Sequence, residues 1–298
     1  MNALLFVATV LIWGTTWIAI AMQVGPVPVL VSVFYRFAVA ALVLLAGLAL
    51  AGRLRLPGAR DWPWIGAQAL CLFGMNFICF YSAAAYLPSG VISVIFSLAT
   101  LFNAVNARIF FGERIAPRAV LASILGVSGL ALLLGPQAAG ASGAMGAGTI
   151  RGIGLACLGT MLFSLGNMVS RRNSAAGISP LQANGWGMAC GALYLSALIA
   201  LTGTPMVAPP DARYLWAMLY LAVVGSVIGF TTYLMMVARI GSARAAYATV
   251  LFPIVALLLS TAYEGYAWHW QAVVGLGLAL AGNLVMFSRP RAGRAVPA

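Results

Sequence analysis

The sequence predicts an all-α integral membrane protein, with ten transmembrane helices arranged as two inverted five-helix repeats around a central cavity. Three observations predict it. Of 298 residues, 63% are apolar and only 7% are charged, against roughly 25% charged in an average soluble domain. The apolar residues fall into about ten runs close to the ~20 residues that a helix needs to cross ~30 Å of hydrocarbon. A weak internal repeat relates the two halves of the chain at an offset of 153 residues.

The spans follow in order from the breaks between them. The first, 3–22, stops before Gly25-Pro26 and Pro28, and the second, 29–51, before Pro57-Gly58. Leu87-Pro88-Ser89-Gly90 separates the third, 63–86, from the fourth, 90–111, and Ala116-Pro117 opens the fifth, 117–135. Ser179-Pro180 divides the sixth, 150–170, from the seventh, 180–202, and Pro209-Pro210 precedes the eighth, 213–238. The ninth and tenth are 243–263 and 269–287. Glycine and proline at these points cannot continue a helix. The short third-to-fourth and eighth-to-ninth connections suit antiparallel neighbours. Runs such as Ala38 to Ala51 are apolar on every side, which excludes the alternating strands of an outer-membrane barrel. The N-terminus has neither an arginine-rich start nor a small-residue cleavage site, so it reads as a retained span rather than a signal peptide.

All 16 basic residues are arginine, giving a net charge of +12. They are strung between apolar runs and form no hydrated basic face, so nucleic acid is not an expected partner. With the N-terminus in the cytoplasm, thirteen arginines fall on the cytoplasmic side. These are Arg53, Arg55 and Arg60; Arg108, Arg114 and Arg118; Arg171 and Arg172; Arg239 and Arg244; and Arg289, Arg291 and Arg294. Only Arg151 and Arg213 fall outside, and Arg36 lies within a span. That bias predicts both termini in the cytoplasm of a bacterial inner membrane protein.

An uncharged small-residue linker, 136–149, divides the chain into a first unit, 1–135, and a second, 150–288, followed by a cytoplasmic tail, 289–298. At the offset of 153, Phe77 meets Phe230, Leu87 meets Ile240, Ser89 meets Ser242 and Gly129 meets Gly282, while Ala122 meets Gly275. Two successive five-span units enter the membrane in opposite senses, so the repeat is inverted. Such repeats commonly hold a transport site between them.

The chemistry of the spans points the same way. The four carboxylates, Asp61, Glu113, Asp211 and Glu264, lie in connections or at helix ends. Proton- or cation-coupled efflux commonly uses a carboxylate at membrane depth, so coupling of that kind is not expected. One histidine, His269, and four cysteines without paired spacing (Cys71, Cys79, Cys157, Cys190) make no metal site. Neither Ser89 nor Ser164 has a base beside it, so no catalytic residues are assigned. No cofactor is expected.

Arg36 stands seven residues into its helix, roughly 10 Å below the surface at 1.5 Å per residue. An intramembrane arginine marks function by default. Two roles fit it: holding a substrate carboxylate or shaping the outer gate, or a structural role satisfied by helix-end carbonyls. Trp13 and Trp17 share a helix face; with Tyr81, Phe102, Phe163, Trp186, Tyr233 and Tyr247 they form either an aromatic cavity wall or ordinary packing. Trp62, Trp64, Trp216, Trp268 and Trp270 read as interface anchors. Among the intramembrane amides, Asn76 and Asn103 are assigned to substrate and Asn106 to helix–helix bonding, with Asn167 a further candidate for either role. Glycines such as Gly126 and Gly129 permit close helix packing.

Trp13-Gly14-Thr15-Thr16-Trp17-Ile18-Ala19, Tyr35-Arg36-Phe37 and Phe111-Gly112-Glu113-Arg114 resemble the signatures of EamA-type members of the drug/metabolite transporter superfamily. The resemblance covers nearly the whole chain as two units, and is nearest to bacterial amino-acid exporters of the YddG type. Thr100 departs from a proline frequent in the family's fourth span, although Pro253 keeps it in the ninth, and Tyr266 stands opposite Glu113. The resemblance implies export of small neutral or zwitterionic metabolites, amino acids including aromatic ones, by alternating access and without carboxylate-based ion coupling. The expected partners are that small-molecule substrate and the lipid bilayer, with the chain a monomer. Efflux of drug-like or nucleoside-like compounds is the alternative, and a non-transporting membrane scaffold or receptor is the alternative of another class.

Overall fold

The computed structural model describes residues 2–138, 146–240 and 248–287. Among the described residues every regular element is helical, in the order α1 (Asn2–Ala21), α2 (Val29–Leu50), α3 (Trp62–Ala83), α4 (Ser89–Phe111), α5 (Pro117–Ala138), α6 (Ala147–Ala175), α7 (Pro180–Thr202), α8 (212–240), α9 (Ala248–Glu264) and α10 (Trp270–Phe287). Eight of them are long and apolar enough to cross a membrane. The last two contribute shorter apolar runs, Leu251–Glu264 and Trp270–Met286. The third and fourth helices are separate, as their short connection implied. The sixth is longer than expected, reaching from Ala147 to Ala175. Half of the linker (139–145), the connection at 241–247 and the tail from 288 lie outside the described residues.

The ends obey local rules. Pro28 and Pro88 sit immediately before α2 and α4 in extended conformation, where a missing N–H costs nothing. Ser179 accepts a hydrogen bond from the Gln182 amide at 3.3 Å and Asp211 one from the Tyr214 amide at 2.7 Å, capping α7 and α8. Gly112 and Gly203 close α4 and α7 with φ of +69° and +63°, which a side chain would disfavour.

Two helices are locally unwound to π geometry: α3 over Cys71–Met75 and α8 over Tyr220–Ile228. Shifted by 153 residues, the first segment falls inside the second. The packing follows the same shift. Helix α1 packs on α8 and α9, and its counterpart α6 on α3 and α4; α2 meets α7 and α8, and α7 meets α2 and α3. The α5–α10 contact is reciprocal residue by residue. A side chain at Gly129 would meet the backbone of Gly275, and one at Gly282 the backbone of Ala122. At that offset Ala122 and Gly129 correspond to Gly275 and Gly282, so Gly129 meets the counterpart of Ala122 and Ala122 meets the counterpart of Gly129. That is the pattern of a two-fold contact.

The two ends of the bundle differ in charge. At one end Arg171 pairs with Glu113 at 2.5 Å, Arg172 approaches Asp61 at 3.8 Å, and Gln182 ties α7 to the Arg53 and Arg55 backbone. At the other, Tyr81 bonds Gln23, Ser89 bonds Glu264 and Arg151 lies over Tyr86.

Candidate functional site

A cavity of about 830 Å³ lies between the two sets of five helices. Its mouth is at the arginine-bearing end, beside Glu113, Arg114, Arg118 and Arg171. Its floor, toward the opposite end, is made by Ile20, Arg36 and Asn76.

Arg36 is only 3% exposed. Its Nε donates to Ser226 Oγ at 3.2 Å, and Ser226 in turn donates to the Leu221 carbonyl at 2.9 Å. That second bond spans five residues, the step of the π segment. The widened turn of α8 therefore presents the hydroxyl that orients the guanidinium. The guanidinium lies over Phe77, 4.3 Å from the ring centre, and 5.4 Å from that of Phe37, an attraction of about 0.5–2 kcal/mol. The Tyr81 hydroxyl lies beside it. Nη1 has no partner.

Asn76 follows directly on the π segment of α3. It is fully buried, and neither its Nδ2 nor its Oδ1 has a partner. Its counterpart at the offset of 153 is Gly229, where a side chain would collide with the Trp13 indole at 2.7 Å. One half thus supplies an amide to the floor and the other leaves room for a tryptophan. Irregular turns of this kind are frequent at functional sites.

The walls are aromatic. Trp13 packs on Phe230 and Tyr233 with ring centres 5.7 and 5.0 Å apart, and Trp17 on Phe80 and Phe96 at 5.4 and 5.6 Å. Phe96 meets Phe163 edge-on at 4.7 Å. Nearer the mouth, Asn167 donates to Asn103 at 3.4 Å. Asn184 accepts from Gln68 at 3.2 Å, and Gln68 accepts from Asn173 at 2.9 Å. Glu113 is the only carboxylate on the cavity wall among the described residues. No cluster of metal-binding side chains occurs among the described residues.

Of the residues singled out from the sequence, the structure brings Trp13, Trp17, Arg36, Asn76, Asn103, Phe163, Asn167 and Tyr233 to this one cavity. Three others stand elsewhere. Tyr81 is buried behind the floor and donates to Gln23 Oε1 at 2.8 Å. Phe102 packs against the hydrophobic core and does not line the cavity. Trp186 anchors the arginine-bearing end, donating to the Arg55 carbonyl at 2.9 Å with its ring against Trp62. Tyr247 lies outside the described residues. Asn106 bridges α4 to α6 through Ser164 at 2.9 Å, away from the cavity.

Thr16, Phe77, Phe80, Phe96, Asn184 and Phe230 also line the cavity and were not singled out. A signal for some of them existed: Phe96, Thr100 and Asn103 follow the i, i+4, i+7 spacing of one helix face, and Trp13, Thr16 and Ile20 the i, i+3, i+7 spacing.

Comparison with known proteins identifies the assembly. The model of the EamA-like transporter family matches residues 1–135 and again residues 150–288. The chain belongs to the EamA-like transporter family. Among its relatives, the uncharacterized inner membrane transporter YedA of Escherichia coli is 27% identical over 261 residues, covering 87% of this chain and 81% of that protein. A probable terminal-alkyne amino-acid exporter of Streptantibioticus cattleyicolor is 27% identical over 294 residues, covering 97% and 93%. Protein PecM of Dickeya dadantii is 24% identical over 288 residues, covering 93% and 91%. A crystal structure at 24% identity matches over 95% of each chain with a TM-score of 0.67, which establishes a common fold. This EamA-like protein is accordingly a multi-pass membrane transporter with a small-molecule cargo.

Proposed function

We propose that this EamA-like transporter exports small neutral or zwitterionic metabolites, amino acids including aromatic ones, across a bacterial inner membrane by alternating access. The observation that carries the reading is the floor of the cavity: Arg36 and Asn76 are buried with donors unpartnered beneath walls of tryptophan and phenylalanine. A guanidinium with an open N–H and an adjacent amide match a carboxylate, and the aromatic faces match an apolar side chain. The names of the Streptantibioticus exporter and of YedA support an amino-acid cargo and an inner-membrane location. Within the family we place the chain in the amino-acid exporter branch.

All ten helices are taken as spans, in two inverted five-helix units that rock against each other around the cavity. The reciprocal α5–α10 contact and the matched π segments of α3 and α8 support this arrangement. Both termini are assigned to the cytoplasm on the arginine bias. The cavity then opens to the cytoplasm, ready to load. Its wall carries no carboxylate at membrane depth, so cargo runs down its own gradient without carboxylate-based ion coupling. A single chain encloses the pathway, which favours a monomer.

Efflux of labelled phenylalanine from proteoliposomes, with and without a pH gradient, tests the reading. Gradient-independent efflux is expected. Efflux that requires the gradient contradicts uniport, and efflux of no amino acid contradicts the cargo.

A further inference from the structure

We infer that the strap joining α2 to α3 binds an anionic phospholipid of the leaflet at the arginine-bearing end of the bundle. The strap runs from Ala51 to Asp61 and carries Arg53, Arg55 and Arg60. All three are exposed. Among the described residues no carboxylate pairs with them and no ring lies under their guanidinium groups. The strap's own carboxylate, Asp61, is approached instead by Arg172 at 3.8 Å.

The strap's backbone is held in place. The Gln182 side chain of α7 donates to the Arg53 carbonyl and accepts from the Arg55 amide at 3.2 Å, so one amide clamps both residues. One turn along α7, the Trp186 indole donates to the Arg55 carbonyl at 2.9 Å. Between the two arginines, Leu54 packs partly on the core. Arg53 and Arg55 are thus presented together, their α-carbons at most about 7 Å apart. Charges on a fixed backbone lose less freedom on binding than charges on a loose loop.

The surroundings mark the level of the membrane surface. Leu50, the last residue of α2, is 91% exposed, and Leu56 of the strap is 77% exposed. Trp62 packs edge-on against Trp186 with ring centres 5.4 Å apart, and Arg172 lies 4.4 Å over Trp64. Indole rings of this kind gather at the depth of the headgroups. Basic side chains and an apolar anchor therefore meet where phosphates end and acyl chains begin.

A guanidinium matches a phosphate with two parallel N–H bonds, and basic residues beside a membrane-spanning helix attract anionic headgroups. Phosphatidylcholine offers the same phosphate with its charge cancelled, so the strap discriminates in favour of phosphatidylglycerol. At the opposite end Arg151 lies over the Tyr86 ring and Arg213 opens α8. These two stand on separate helices and supply a control.

The full chain in detergent is exchanged into an equimolar mixture of phosphatidylglycerol and phosphatidylcholine, and the lipid retained per chain is counted by mass spectrometry. The parent is expected to retain at least threefold more phosphatidylglycerol, and that lipid is expected to raise its unfolding temperature. The triple variant Arg53→Gln, Arg55→Gln, Arg60→Gln is expected to fall to near parity, and the corresponding triple lysine variant to keep most of the preference. The double variant Arg151→Gln, Arg213→Gln is expected to match the parent. Should the triple glutamine variant not fold, the three single substitutions decide, each expected to lower the preference in part.

Equal retention of the two lipids by the parent overturns the inference, as does an undiminished preference in the glutamine variants. An equal loss in the Arg151→Gln, Arg213→Gln control overturns it too, since the preference would then come from net charge and not from the strap. Displacement of the lipid by millimolar glycerol 3-phosphate would show a site for soluble phosphates, and also overturns it. None of these outcomes bears on the cargo.

Discussion

Arg36 Nε of α2 donates to Ser226 Oγ of α8 at 3.2 Å, a bond across 190 residues of sequence that joins the first five helices to the second. It is possible because α8 is unwound over Tyr220–Ile228, and it leaves Nη1 buried without a partner. One hydrogen bond thus ties α2 to α8 and fixes the guanidinium.

The charge balance of the floor is testable through Asn76. Asn76→Asp adds a negative charge to the same cavity floor as Arg36, where it competes with a carboxylate cargo. Transport of carboxylate cargo should fall more than tenfold. Asn76→Ala removes only a neutral hydrogen bond, about 1 kcal/mol or roughly five-fold. Initial rates in proteoliposomes measure both, and equal effects of the two substitutions would contradict the charge argument.

The α5–α10 contact gives a stability prediction. A β-carbon at Gly129 meets the Gly275 carbonyl and comes within 2.7 Å of the Ala279 nitrogen. These are backbone atoms that cannot rotate away. Gly129→Ala and Gly275→Ala should each destabilise the protein by about 1–3 kcal/mol, and their combination by less than the sum, because both force apart the same pair. Gly277 has open space around its α-carbon, and Gly277→Ala should be neutral. Thermal unfolding in detergent distinguishes them.

Much of this was legible in the sequence, for physical reasons. Proline, glycine and arginine punctuate the chain where helices end, so the breaks at Pro28, Pro88 and Pro180 gave the connections. Arg36 stood out because a charge is costly to bury without purpose, and Trp13 and Trp17 because a four-residue spacing puts two large rings on one helix face. The ninth and tenth helices, expected as full spans, are shorter apolar runs among the described residues. The π segments were not legible, because a widened turn leaves no compositional mark in CLFGM or YLAVVGSVI. The wall residues Phe77, Phe80 and Phe230 were missed because a helix apolar on all sides, with lipid on one face and protein on another, shows little periodicity. Tyr81 and Trp186 were expected at the cavity because aromatic character alone does not say which way a ring points.

The closed end depends on two bonds, and the first is the 2.8 Å hydrogen bond from Tyr81 to Gln23. Gln23 Nε2 already lacks a partner. Tyr81→Phe orphans its Oε1 as well, at a cost of about 1–3 kcal/mol. A lowered unfolding temperature together with faster hydrogen exchange over 20–24 is expected. Unchanged exchange there would show that the bond does not hold this end shut.

The second is the cap on α4. Glu264 accepts from the Ser89 amide at 3.0 and 3.2 Å and from the Ser89 hydroxyl at 2.5 Å. A carboxylate at a helix N-terminus is stabilising through both hydrogen bonds and the helix dipole. Glu264→Ala should cost about 1–2 kcal/mol and Glu264→Gln about half as much, since an amide oxygen still accepts. Amide exchange over 87–93 measures the cap, and protection equal in all three proteins would refute it.

Equilibrium binding of labelled phenylalanine to purified protein, for the parent, Arg36→Lys and Arg36→Gln, probes the heart of the account. Loss of a charge-assisted hydrogen bond of about 1.5–3 kcal/mol predicts affinities weakened roughly ten- to a hundred-fold in Arg36→Gln and less in Arg36→Lys, with unfolding temperatures matched to the parent. The same Kd in folded Arg36→Gln as in the parent would mean that the buried guanidinium does not hold the cargo.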